Sequence, residues 1–275
     1  CTSDEEKKRI HFEKGNAYFE KSEFKSARLE FKNALQLDPQ FLAAHLKLAE
    51  TNLKLGNAQE SYNAYLNVVK LDPENTDALL KLAMFFMLGD KIEDARQRVE
   101  TVLSKDPQNT EALIILGGLA IKENNQPEAE SIFREVIEIK PPELRAYLGL
   151  SGVLVQQGKT SEAEEILQQA LEIDSTAVQL RMTLFRLYAD QKKFDRAQKE
   201  LEATIHAHPE NPELHLLLAN FFFGLQKLEA AEVAYRRAIE VDPQNSQSYM
   251  IVAAFYETTG RKDDALAMYQ EALAL

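Results

Sequence analysis

His206 and His208 alternate along the chain, and His215 follows seven residues later. Three imidazoles so spaced are the raw material of a metal site. The pair directly precedes Pro209, where a helix ends and histidine also suits the negative end of the helix dipole. A solvated helix terminus accounts for the pair, and no metal is expected. Glu164-Glu165 and Asp263-Asp264 are adjacent carboxylates of the kind that could share acid–base work. They fall at the starts of expected second helices, where acids favour the helix N-terminus without any catalytic role. The one thiol, Cys1, has no histidine beside it in sequence to activate it. The chain has no G-x-G-x-x-G, P-loop, C-x-x-C or H-E-x-x-H motif. No cofactor is expected, and a binding role is favoured over an enzymatic one.

The elements that would carry a binding surface emerge from the prolines. Pro39, Pro73, Pro107, Pro141, Pro209 and Pro243 share one 34-residue frame, with Ser175 in the remaining slot. Four of them follow aspartate, at Asp38, Asp72, Asp106 and Asp242. A fixed period of this length is the signature of a solenoid. Twelve residues before each proline slot is a small residue: Ala27, Ser61, Ala95, Ala129, Ala163, Ala197 and Ala231, with Ala265 in the last unit. Eight before it is a bulky one: Phe31, Tyr65, Val99, Phe133, Leu167, Leu201, Tyr235, then Tyr269. Large–small pairs such as Leu48-Ala49, Leu116-Gly117 and Leu218-Ala219 mark the first helix of a unit. Spacings of 3, 4 and 7 put these residues on one helical face. Each unit therefore reads as helix, turn, helix and a proline-marked break. The prolines either stop the old helix or begin the first turn of the new one.

This pattern resembles the tetratricopeptide repeat (TPR), whose 34-residue unit has an L-G…Y…A…F…A…P core. The first unit supplies Gly15, Tyr18, Ala27, Phe31, Ala34 and Pro39. The seventh supplies Leu218, Ala219, Phe222, Ala231, Tyr235, Ala238 and Pro243. Lys14, Phe185 and Ser175 depart from the pattern, and tryptophan is absent. Eight units fit, over 8–41, 42–75, 76–109, 110–143, 144–177, 178–211, 212–245 and 246–275, after a tether over 1–7. The resemblance implies an all-α fold, a right-handed superhelical α-solenoid. First helices would line its concave groove and second helices would face outward.

By resemblance to peptide-binding members, the groove falls on three slots of each first helix. These are Phe12, Asn16 and Phe19; Leu46, Glu50 and Leu53; Leu80, Met84 and Met87; Ile114, Gly118 and Ile121. They continue with Leu148, Gly152 and Val155; Met182, Arg186 and Ala189; Leu216, Asn220 and Phe223; Met250, Ala254 and Glu257. Units three to five are apolar at every slot, so a protein or peptide segment with an apolar face is the expected partner. Packing against the neighbouring unit is the competing role for each of these side chains. Members that clamp a C-terminal carboxylate use a Lys–Asn pair. Here the corresponding slots hold Phe12 with Asn16, then Lys47, then Asp77 with Lys81, so that reading is disfavoured.

Lys and Arg total 32 against 44 Asp and Glu, a net charge of −12. A general nucleic-acid binder needs the opposite sign, so no nucleic-acid partner is expected. Cys1 heads the polar segment Cys1-Thr-Ser-Asp-Glu-Glu-Lys-Lys, which looks like the start of a mature bacterial lipoprotein. That resemblance implies lipidation of Cys1 and a membrane partner through the lipid. With Thr2 rather than Asp in second place, it implies the outer membrane, facing the periplasm. The chain so read resembles bacterial TPR lipoproteins of exosortase (PEP-CTERM) and exopolysaccharide systems, which implies a scaffold supporting envelope export or exopolysaccharide assembly. A cytosolic TPR adaptor or co-chaperone, and a regulatory repeat domain of a longer enzyme, are the alternatives. Leu273 and Leu275 leave an apolar end, expected to meet further repeats or a second copy.

Overall fold

The computed structural model describes residues 3–275. Cys1, the expected lipidation site, and Thr2 lie outside the described residues. Among these there are sixteen α-helices and no strand. They form eight hairpins: α1 (Asp4–Glu20) with α2 (Phe24–Leu37), α3 (Leu42–Lys54) with α4 (Ala58–Leu71), α5 (Thr76–Leu88) with α6 (Ile92–Leu103), and α7 (Thr110–Lys122) with α8 (Gln126–Ile139). Then come α9 (Leu144–Gln156) with α10 (Thr160–Ile173), α11 (Val178–Asp190) with α12 (Phe194–Ala207), α13 (Pro212–Gly224) with α14 (Leu228–Val241), and α15 (Ser246–Thr258) with α16 (Lys262–Ala274). The chain divides into two compact units, Cys1–Val153 and Leu154–Leu275. Within a unit each first helix packs on its own second helix and on the second helix before it, as α5 does on α6 and α4. First helices also meet one another, α1 against α3 and α5 against α7. This is the arrangement of an α-solenoid of TPR repeats.

The first helix begins earlier than the repeat frame. Ser3 caps it, its Oγ accepting from the Glu6 N–H at 3.2 Å, and Asp4, Glu5 and Glu6 form the first turn. Residues 4–7, expected in the tether, are helical, because acids beside the positive helix end favour helix there.

Each hairpin turn is the same backbone device. Ser22, Gly56, Asp90, Asn124, Gly158, Lys192, Gln226 and Gly260 all have positive φ, between 56° and 80°. The amide after each reaches back five residues, as in Glu23 N–H to the Tyr18 carbonyl and Arg261 N–H to the Tyr256 carbonyl. That pair of features is a Schellman cap, which consumes carbonyls the helix end leaves free. At the other junction the frame prolines stand just past the helix-ending aspartates Asp38, Asp72 and Asp242. They lie outside both helices, so they stop one and do not start the next. New helices start from Asn75, Asn109, Asn211 and Asn245, whose side chains accept first-turn N–H groups.

The small slots are closed to solvent: Ala27, Ser61, Ala95, Ala129, Ala163, Ala197 and Ala231 are all fully buried. Ser61 adds a hydrogen bond, its Oγ donating to the Ala49 carbonyl at 2.9 Å. Phe185, which breaks the small-residue slot of the sixth repeat, is 8% exposed and packs edge-on against Phe221 at 5.4 Å. Ion pairs tie successive repeats at their rims. Arg145 meets Glu111 at 2.6 Å and Lys122 meets Asp90 at 2.9 Å in the first unit. Arg196 meets Glu164 at 2.8 Å and Arg261 meets Glu232 at 2.6 Å in the second.

Candidate protein-interaction face

The exposed side of the first helices is what the hairpins hold up to solvent. Its central slot is the most open. Met84 is 37% exposed. Gly152, Arg186, Asn220 and Ala254 are exposed too, while Asn16, Glu50 and Gly118 are half-buried. A side chain added at Gly152 would meet nothing, and one at Gly118 only the Met87 sulfur at 3.5 Å. Packing thus has no use for a side chain at Gly152, and the face is low there by composition.

The flanking slots divide. In the first unit Leu53 is 40% exposed, and Phe12, Phe19, Leu46, Met87, Ile114, Ile121 and Leu148 are half-buried. Leu46 and Met87 lean on the inter-repeat core as they do so. Leu80 does not belong to the face. It is 5% exposed and sits inside that core with Ala49, Tyr65 and Ala83, so its apolarity serves packing alone. In the second unit Val155 is 42% exposed and Phe223 is half-buried against Phe255, ring centroids 5.5 Å apart. One apolar residue was not among the expected slots: Leu88, 79% exposed at the end of α5. The same position holds Lys54 and Lys122 in the neighbouring repeats, and a leucine in a lysine slot was the available signal.

Two of the three candidate histidines are engaged with backbone. His215 is buried, with Nε2 3.1 Å from the Pro209 carbonyl, and His208 Nε2 lies 3.4 Å from the Thr176 carbonyl. His45, Arg181 and Tyr249 occupy the same slot as His215 and reach the matching carbonyls of Pro39, Ser175 and Pro243. Among the described residues no three histidine, cysteine or carboxylate side chains are placed to hold a metal ion. Tyr65 is buried at the edge of the face, and its phenol is pushed up to about 12, first by burial and then by Glu50 and Asp77. It stays a neutral phenol at neutral pH. Glu143 is held down at about 2 by hydrogen bonds from Arg145 and Lys140, and so stays an ionised rim carboxylate. These groups are tied into the scaffold and are not poised for acid–base chemistry.

A family model described as tetratricopeptide repeat matches residues 53–117, 90–154, 120–184, 154–221 and 188–255, and a second, described as TPR repeat, matches 15–56. No curated protein matches in sequence. Among solved structures, a tetratricopeptide repeat protein from Parabacteroides merdae is 21% identical with a TM-score of 0.70, over 90% of this chain and 98% of that one. Pseudomonas aeruginosa pilF is 16% identical with a TM-score of 0.60, over 75% of this chain and 94% of that one. Human IFIT1, solved as a dimer with m7Gppp-AAAA, is 15% identical with a TM-score of 0.61, over 97% of this chain and 72% of that one. At these identities the likeness is one of fold, and a fold does not name a ligand. The matched segments and the unbroken series of hairpins together place the chain in the tetratricopeptide repeat family.

Proposed function

We propose that the chain is a non-catalytic protein-interaction scaffold whose first-helix face takes up an apolar segment of a partner protein. The observation that carries this reading is the apolar strip on the first unit. Leu53 and Met84 are exposed, Met87, Ile114, Ile121 and Leu148 are half-exposed around them, and the low points Gly118 and Gly152 lie alongside. Core packing does not require an exposed methionine. Methionine adapts its shape to irregular partners, and exposed apolar area on a soluble repeat is what association would cover. Met84→Glu should leave helix content and unfolding temperature close to the parent, because the side chain already reaches solvent. It should weaken partner capture by about tenfold or more, since a bound partner would bury an unpaired charge. Ile121→Glu should act in the same direction. Capture unchanged in both folded variants would place recognition elsewhere.

The setting we propose is the periplasmic side of a bacterial outer membrane, with the scaffold anchored by lipid on Cys1 and serving envelope export or exopolysaccharide assembly. The support is the sequence: the single cysteine followed by a short polar segment. Labelling of the full precursor with a palmitate analogue tests it. The parent should carry label and fractionate with membranes, and Cys1→Ser should do neither. Equal membrane recovery of both would sink the anchor.

A further inference from the structure

In the second unit the central slot of the first-helix face becomes polar, with Arg186 on α11 and Asn220 on α13 exposed one repeat apart. Arg181, on the same helix as Arg186, is tied to Glu200 at 2.8 Å and to the Ser175 carbonyl at 2.9 Å. Arg186 has no hydrogen-bond or ion-pair partner among the described residues, although Asp190 stands one turn further on. Asn220 is held from beneath. Tyr235 on α14 is 2% exposed, and its hydroxyl donates to Asn220 Oδ1 at 2.6 Å. A buried phenol must place its one proton, and Oδ1 is the acceptor that takes it. That bond turns the amide oxygen towards Tyr235 and so orients the amide, leaving the Nδ2 protons to serve a ligand. The Arg186 guanidinium adds its fork of donors.

The pairing is particular to this repeat. Asn16 has the same slot in the first repeat, but the residue beneath it is Phe31, which has no hydroxyl to fix the amide. Glu50, Met84, Gly118, Gly152 and Ala254 fill the slot elsewhere, and their side chains donate nothing. Three acids on the packed elements lie around the slot, and none of them is hydrogen-bonded or ion-paired to Arg186 or Asn220. Asp190 ends α11, Glu213 lies in the first turn of α13, and Glu257 on α15 accepts from the Tyr269 hydroxyl at 3.1 Å. Apolar side chains complete the strip: Met182, Leu216 and Phe223 are half-buried, and Met250 is 49% exposed.

We propose that this strip binds an aspartate or glutamate side chain of a partner segment, the carboxylate spanning Arg186 and Asn220 and flanking apolar residues resting on Leu216 and Phe223. The proposal rests on the reading that the first-helix face is the ligand-binding face. Two donor groups without an acceptor of their own suit an oxygen ligand. A free guanidinium favours the charged one, because charge-assisted hydrogen bonds are roughly twice as strong as neutral ones. Asn220 and Arg186 touch the ligand, and Tyr235 is a positioning residue.

The test uses the full chain, immobilised at about physiological salt, and pools of short degenerate peptides with acetylated and amidated ends. One pool fixes Asp at the centre, a second Asn and a third Lys. The Asp pool should be retained about tenfold more than the Asn pool, and the Lys pool least. Arg186→Ala, at an exposed site, should abolish the preference. Tyr235→Phe should reduce it with helix content unchanged, because the ring still fills its place while the amide turns freely. Ser131→Ala, on the exposed side of α8, should leave it intact. Equal retention of the Asp and Asn pools, no retention of any pool, or a preference that survives Arg186→Ala would overturn the proposal. A preference lost in Met84→Glu but kept in Arg186→Ala would also overturn it, while leaving the scaffold reading standing.

Discussion

At the scale of single residues, the fold is a set of volume pairs between the two helices of a hairpin. Gly15 faces Phe31 and Gly117 faces Phe133, so closely that an added Cβ would stand 2.5 Å and 2.7 Å from the respective rings. Where the second helix carries Tyr65 or Tyr235, the slot has widened to Ala49 or Ala219. The tip of the Phe133 ring also lies close to Gly149, where an added Cβ would stand 2.5 Å away, so the ring sits between two glycine backbones. Gly117→Ala should therefore cost roughly 1–3 kcal/mol in urea unfolding through overpacking. Adding Phe133→Leu should recover much of that loss, a coupling that a double-mutant cycle reads directly. Additive effects of the two changes would mean that the ring and the glycine do not share this space. The sequence made both slots visible, because each repeats every 34 residues. It did not separate Leu80 from Met84: both are apolar in neighbouring slots, and only the packing shows one in the core and the other at the surface.

At the scale of the element, eight turns of one backbone shape carry six different residue types. Only Gly56, Gly158 and Gly260 are the residue type the left-handed conformation favours, and the other five positions bear side chains there. This is why the turns were legible from spacing while their backbone conformation was not. Lys192→Gly or Gln226→Gly should raise stability by roughly 0.5–1 kcal/mol, the relief of left-handed strain less the entropy that glycine costs. Gly158→Ala should lower it by about 1 kcal/mol. No change in the thermal midpoint of any of the three would mean the turns relax to another shape. The junction before α9 adds a dependence on pH. Glu143 has its carboxyl lowered from an ordinary value of 4.5 to about 2 by Arg145 and Lys140. Its stabilisation is thus complete above pH 4.5 and fades as the pH falls towards 2. Glu143→Gln should destabilise the protein at neutral pH and flatten its acid unfolding curve in that window. Parallel acid curves for parent and variant would show that the pair contributes no proton linkage.

At the scale of the whole molecule, a repeat array is stabilised by local terms, since each hairpin touches only its neighbours. Ala231 is fully buried in the seventh repeat. Ala231→Leu should lower amide-exchange protection in α13 and α14 and leave that of α1 to α6 as in the parent. Uniform loss across the chain would point to global cooperativity instead. The same architecture explains the limit of what could be read beforehand. Period and slot disclose the hairpins, because packing repeats with them. A ligand acts once, on residues such as Arg186 and Asn220 that depart from the repeat, and the support Asn220 draws from Tyr235 exists only in three dimensions. Partners should meet the first-helix face and not the second helices. A photo-crosslinking amino acid placed at Met84 and, separately, at the exposed second-helix positions Gln97 and Ser131 tests it in the native organism. A discrete adduct of defined mass is expected from position 84 and none from 97 or 131. Adducts from 97 or 131 with none from 84 would contradict it.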